Sequence, residues 1–229
     1  MLRPACLLLA LAVVPAAAHA GLLERLSAAA PDADPKVLAL ALQARTCAMA
    51  TEGAASASRL AVIDYSRPST QTRLWVFDLK RKSLLFAEHV AHGRGSGDNM
   101  AQSFSNREGS HQSSLGLFRT AETYQGGNGY SMRMDGLEPG VNDAARDRMI
   151  VMHGAPYVDP LAALKQGRLG RSFGCPAVRP QVARELIDTL KQGQLLFAYY
   201  PDPEWLEGST LLGCGGRAAT LAGKPAAKG

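Results

Sequence analysis

Apolar residues change their spacing near residue 59, from a helical stripe to short runs of strand formers. Upstream, residues 34–50 place Leu38, Ala41 and Leu42 on one stripe, with Asp34 as N-cap and Pro35 in the first turn, and predict a helix. Residues 51–58 have turn and linker composition. Runs at 60–65, 73–79 and 84–90 predict strands, the last two joined by Lys80-Arg81-Lys82. A Gly/Ser/Asn-rich stretch at 92–114 follows, long enough to signal function in a compact domain. Strands are expected at 115–120, at 130–134 beyond the turn 125–129, and at 148–153, which ends in His153-Gly154. Pro180 opens a last helix with Ala183, Leu186, Ile187 and Leu190 on one face and Gly193 as its cap. Residues 195–200 return as a strand. The pattern predicts a mainly β chain with a few helices: a helical segment and linker at 21–58, one core domain at 59–204, and a partly disordered extension at 205–229.

The first residues modify this picture. Met1-Leu2-Arg3, an apolar stretch from 5 to 18 and Ala18-His19-Ala20 read as a signal peptide cleaved after Ala20. The stretch is shorter than the ~20 residues of a spanning helix. A periplasmic or secreted protein is expected, monomeric and without integral membrane association once the signal is removed. The net charge of +5 is spread among acidic residues, which is a solubility surface and not a nucleic-acid footprint.

Gly174-Cys175-Pro176 carries the candidate chemistry. Proline disfavours helical geometry at the residue before it, and Gly174 leaves room beside the sulfur. The turn is compatible with a nucleophile or with an ordinary half-buried thiol. His153, at the end of a buried strand and followed by Gly154, is the candidate base, because an imidazole nearby can generate the thiolate. A histidine there can equally be a surface or hydrogen-bonded core residue.

Met152-His153-Gly154, a spacer, and Ser172-Phe173-Gly174-Cys175 together resemble the His-Gly to Ser-His-Gly-Cys signature of the L,D-transpeptidases, the YkuD-like fold. Ser114-Leu115-Gly116-Leu117-Phe118 is similar to a further segment of that family, and residues 167–178 resemble its divergent second branch. The resemblance implies a sandwich- or barrel-like β domain and a cysteine acyltransferase that acts on peptidoglycan stem peptides through a thioester, with no cofactor. It assigns Cys175 as nucleophile, His153 as base, and Ser172, Phe173 and Gly174 as the cysteine and oxyanion loop. Pro176 has no N–H, so the oxyanion donors are sought in the amides of Cys175 and of Gly174 or Phe173. Phe173 departs from the family by replacing its second histidine. A hydrolase on the same peptides and a non-catalytic wall-binding module are the alternatives.

Arg179 is a candidate for a substrate carboxylate, since arginine binds carboxylates bidentately. His92, in its Gly-rich turn, and Gly154 are candidates for lining the substrate groove. A zinc site of His89, His92, His111 and Cys175 is a further alternative. It is disfavoured because residues three apart on a strand point to opposite faces, and no metal site is assigned. Of the four cysteines, Cys6 lies in the expected signal. If Cys175 stays free to react in an oxidising compartment, elimination leaves Cys47 and Cys214 as a disulfide.

Overall fold

The structure, a computed structural model, describes residues 16–51 and 57–214. Most of the expected signal, the middle of the linker and the tail beyond Cys214 lie outside these residues. Helices α1 (Ala16–Ala29) and α2 (Pro35–Thr51) precede strands β1 (Arg59–Asp64), β2 (Leu74–Asp78), β3 (Ser83–Glu88), β4 (Gly116–Gly126), β5 (Gly129–Gly136) and β6 (Val151–Gly154). Then come α3 (Pro160–Gln166), β7 (Ala177–Val178), α4 (Pro180–Leu190), β8 (Leu195–Tyr199) and α5 (Pro203–Gly208).

All eight strands form one sheet in the order β3-β2-β1-β8-β4-β5-β6-β7. β1 runs parallel to β8 and β6 parallel to β7, and the other neighbours are antiparallel. The two ends of this order meet. Directly after β3, Ala91 bridges Ala177 of β7 and Gly93 bridges Ser172, so the sheet curls into a nearly closed barrel. Closure removes the exposed edges that an open sheet would present. The barrel interior and the inner faces of α2 and α4 share one core that includes Trp75, Phe77, Phe118 and Phe197.

Several elements depart from the sequence pattern. α1 runs across the expected cleavage position, in a segment whose Ala/Leu content reads equally as helix or as signal. The run at 148–153 is a strand only from Val151, because Met149 adopts a left-handed backbone with φ 54°. The boundary expected at 204/205 falls inside α5. Trp205 is buried, and Glu138 accepts from its Nε1 (3.2 Å) and from Ser209 Oγ (2.5 Å), which fastens this end to the barrel. Cys47 in α2 and Cys214 are joined as a disulfide, Cα atoms 6.0 Å apart.

Candidate active site

Parallel neighbours cannot be joined by a hairpin, so the chain must cross back between β6 and β7. The crossover, residues 155–176, carries α3. Asp159 caps this helix by accepting from the Leu161 and Ala162 N–H groups, Pro160 fills the first turn, and Gly167 ends it with φ 74°. Ala155, Val158, Ala163 and Leu169 of the crossover pack with Ala91 and Ala177 in a small second core. The crossover therefore roofs the outer face of β6 and β7. The register pairs His153 with Ala177, which places the imidazole beneath this roof. Pro176 lines a small internal cavity with Ile63, Tyr65 and Leu196, and by strand alternation Cys175 returns to the side of Ala177.

The cysteine loop is tied from below by two serines. Ser172 Oγ donates to the Cys175 carbonyl (2.7 Å) and accepts the Gly174 N–H (3.1 Å). Ser113 Oγ donates to the Gly174 carbonyl (3.1 Å) and accepts the Gly93 N–H (3.0 Å). Gly174 has φ 121°, and a Cβ there would lie 2.8 Å from the Gln112 carbonyl oxygen, so a side chain is excluded on both counts. The Gly174 amide is thus occupied and Pro176 has none. Among the described residues, the Phe173 and Cys175 N–H groups are bonded to no other residue.

The Cys175 thiol accepts from the Val151 N–H (3.4 Å) and faces the Met149 carbonyl (3.6 Å). Burial pushes its pKa up, while the Val151 amide and the charge of Arg148 pull the other way. The guanidinium of Arg148 donates to the carbonyls of Ser105 (2.6 Å) and Gln112 (2.7 Å) and to the hydroxyls of Ser114 (2.6 Å) and Ser110 (3.1 Å). Among the described residues it is a half-buried cation with no carboxylate partner, beside their one free thiol, Cys175. His153 Nδ1 meets the Gly154 carbonyl at 3.0 Å. A carbonyl only accepts, so Nδ1 carries the proton and Nε2 keeps its lone pair. Burial lowers the His153 pKa and keeps the ring neutral. No hydrogen bond joins Cys175 to His153 among the described residues. Tyr157 of the crossover, pushed up to about 12 by burial and by the cysteine's charge, completes the surroundings.

The other sequence candidates fall in different places. His92 is fully buried: Arg73 Nη2 donates to its Nδ1 (2.7 Å), and its Nε2–H points at the Gly97 carbonyl (3.3 Å). Desolvation, helped by Arg73, lowers its pKa to about 4. It shapes the turn from inside and lines no groove. The guanidinium of Arg179 is paired bidentately with Glu88 at the end of β3 (2.9 and 2.8 Å), a clamp across the barrel seam in place of a substrate carboxylate. Gly154 lies against α4, where a Cβ would come within 2.8 Å of the Ala183 Cβ. Phe173 is exposed and stacks near His111, ring centroids 4.7 Å apart. His89 meets the Thr70 carbonyl at 3.1 Å, so His89, His92, His111 and Cys175 do not form one ligand set. A cleft of about 610 Å³ is lined by Pro156, Val158, Asp159, Leu161, Arg179 and Gln181 and includes neither Cys175 nor His153. Arg148 went unnoticed in the sequence, although a single arginine heading an otherwise apolar run was the available signal.

The family model described as "L,D-transpeptidase catalytic domain" matches residues 29–199, well over half of the chain. The chain belongs to that family. No curated protein matches the sequence. Solved structures similar to this L,D-transpeptidase domain include an L,D-transpeptidase from Mycobacterium tuberculosis H37Rv, with 13% identity, 62% of this chain and 58% of that one covered, and a TM-score of 0.40. One from Mycobacterium smegmatis has 15% identity, 63% and 59% coverage, and a TM-score of 0.37. One from Stackebrandtia nassauensis has 12% identity, 81% and 92% coverage, and a TM-score of 0.37. The alignment thus spans less than two thirds of the mycobacterial chains. No helix among the described residues of this L,D-transpeptidase domain is long and apolar enough to cross a membrane.

Proposed function

We propose that the protein is an exported cysteine acyltransferase that acts on the stem peptides of peptidoglycan. The observation that carries this reading is the shared face of β6 and β7: the free thiol of Cys175 and the unprotonated Nε2 of His153 sit under one roof, beside the Phe173 and Cys175 amides. Cys175 releases its proton to His153 and attacks the amide carbonyl ahead of a terminal D-alanine, forming the Sγ–C bond. For this the sulfur turns away from the Val151 amide toward the imidazole; hydrogen bonds loose in an unliganded site tighten when substrate is bound. The oxyanion is stabilised by the Cys175 and Phe173 N–H groups. The C–N bond breaks, the leaving amine takes the proton back from His153, and an amine of a second stem or water then displaces the thiol.

The test is incubation of purified tetrapeptide stems with the protein, read by mass. Wild type should release D-alanine and pass through an acyl adduct on Cys175, and Cys175→Ala should do neither. Cross-linked products identify a transferase and trimmed stems a hydrolase. Cleavage confined to sugar chains or ordinary L,L peptides would overturn the proposal. Export is tested by N-terminal sequencing of the mature protein, expected to begin at Gly21.

A further inference from the structure

The long polar loop at 92–114 ends at the cysteine loop, where Ser113 is buried. Its backbone is held on both sides: the N–H donates to Ser96 Oγ (2.9 Å), and the carbonyl accepts the Ser105 N–H (3.0 Å). Its hydroxyl has one proton to give. The Gly93 N–H can only donate to that hydroxyl (3.0 Å) and the Gly174 carbonyl can only accept from it (3.1 Å), so the direction of the O–H is fixed. The proton goes to Gly174.

That bond sets more than a carbonyl. The Gly174 C=O and the Cys175 N–H share one peptide plane, and in a trans peptide the two point to opposite sides. With the oxygen drawn toward Ser113, the N–H is turned the other way, to its own sulfur. Burial raises the pKa of that sulfur, and the Cys175 N–H is among the groups that pull it back down. Ser172 ties the peptide planes before and after this one, through the Gly174 N–H and the Cys175 carbonyl. The plane between them is left to Ser113. Gly174, at φ 121°, has no side chain to resist its rotation, and a small internal cavity lies against both Gly174 and Ser113.

We propose that Ser113 is the positioning residue of the oxyanion site: it holds the Gly174–Cys175 peptide in the orientation that aims the Cys175 N–H at the sulfur and at the oxygen of an acyl group attached to it. This rests on the function proposed above and adds a residue to its machinery. The long loop thereby acts on the cysteine through a backbone plane.

The experiment follows the thiol and the reaction separately. Ser113→Ala removes the proton that holds the carbonyl, and should move the pH profile of Cys175 alkylation by iodoacetamide to higher pH as the thiolate loses a backbone donor. With tetrapeptide stems its kcat should fall by about 10²-fold, toward the loss of one oxyanion donor, and KM should change far less. Ser113→Thr keeps the hydroxyl and should restore both. A folded Ser113→Ala with the alkylation profile and kcat of wild type overturns the proposal, as does a folded Ser113→Thr that is equally impaired. Ser96→Ala releases the Ser113 N–H and loosens the hydroxyl without removing it. It should shift the profile in the same direction, which keeps the test open if Ser113→Ala does not fold, and an unmoved profile there counts against the proposal. Arg148, Tyr65 and Tyr157, the other groups coupled to the thiol, are untouched by these substitutions. A shifted profile in the variants, without turnover of stem peptides by wild type, leaves the placement of the amide standing and sinks the proposed reaction alone.

Discussion

The two faces of the β6–β7 pair differ more than any two regions of the barrel. Inward, Met152 and Val178 are fully buried and belong to the main core with Leu186, Ile187 and Leu190 of α4. Outward, one residue along each strand, His153 faces the roof with Ala177, flanked by Cys175. The inner face is apolar and packed from both sides. The outer face holds a thiol, an imidazole and, close by, the unpaired charge of Arg148. Alternation alone separates stability from chemistry here, since successive side chains of a strand point to opposite sides. Parallel pairing adds the rest, because the crossover it requires becomes the lid over the face that carries Cys175 and His153.

Substitutions on the two faces should separate these roles. His153→Ala should lower acylation by about 10²- to 10⁴-fold, the range for loss of a general base. Its thermal unfolding should move far less than that of an inner-face variant, and acylation within threefold of wild type would place the base elsewhere. Met152→Ala removes a buried inner side chain and should lower unfolding stability by about 2 to 4 kcal/mol, read by denaturant titration, while Cys175 remains open to acylation in the folded fraction. A full loss of acylation there would mean that the faces are not separable. Arg148→Gln keeps some hydrogen bonds and removes the charge. Loss of that charge should raise the thiol pKa and slow alkylation by iodoacetamide at pH 8; an unchanged alkylation profile would reduce Arg148 to a strut for the 105–114 loop. The smallest effect concerns pH. Burial lowers the His153 pKa below 6.5 and raises that of Cys175 above 9, so the competent pair, neutral imidazole and protonated thiol, should persist throughout that interval. A kcat/KM profile with its acid limb centred above 6.5 would contradict the buried, neutral His153.

How far the sequence revealed this arrangement depended on whether a signal was local. β1, β2 and β3 were legible because uninterrupted strand formers leave few other readings, and α4 because its apolar stripe and terminal Pro and Gly agree. β7 was not, since two residues between Pro176 and Arg179 have no periodicity and become a strand only by pairing with β6. α3 was overlooked although its signals were present: Asp159 as cap, Pro160 after it and Gly167 at its end. Cys175 and His153 stood out through their glycine neighbours. Arg148 did not, because its meaning lies in the 105–114 loop, more than thirty residues upstream, whose carbonyls and hydroxyls enclose it. His92 was chosen for its Gly-rich turn and Arg179 for its chemistry. Their partners, Arg73 and Glu88, are distant in the chain and turn both side chains to structural use.

The Cys47–Cys214 bridge bears on the fate of the Cys175 thiol. By tying up each other, these residues leave Cys175 as the free thiol of the described chain. A sulfenic acid formed on Cys175 would have no resolving thiol within those residues. Its repair therefore depends on small-molecule or protein thiols supplied from outside, and without them oxidation advances to irreversible acids. A protein equipped with a bond suited to oxidising surroundings thus carries the Cys175 sulfur without a partner cysteine among the described residues, and the roof over β6 and β7 is the shield that remains.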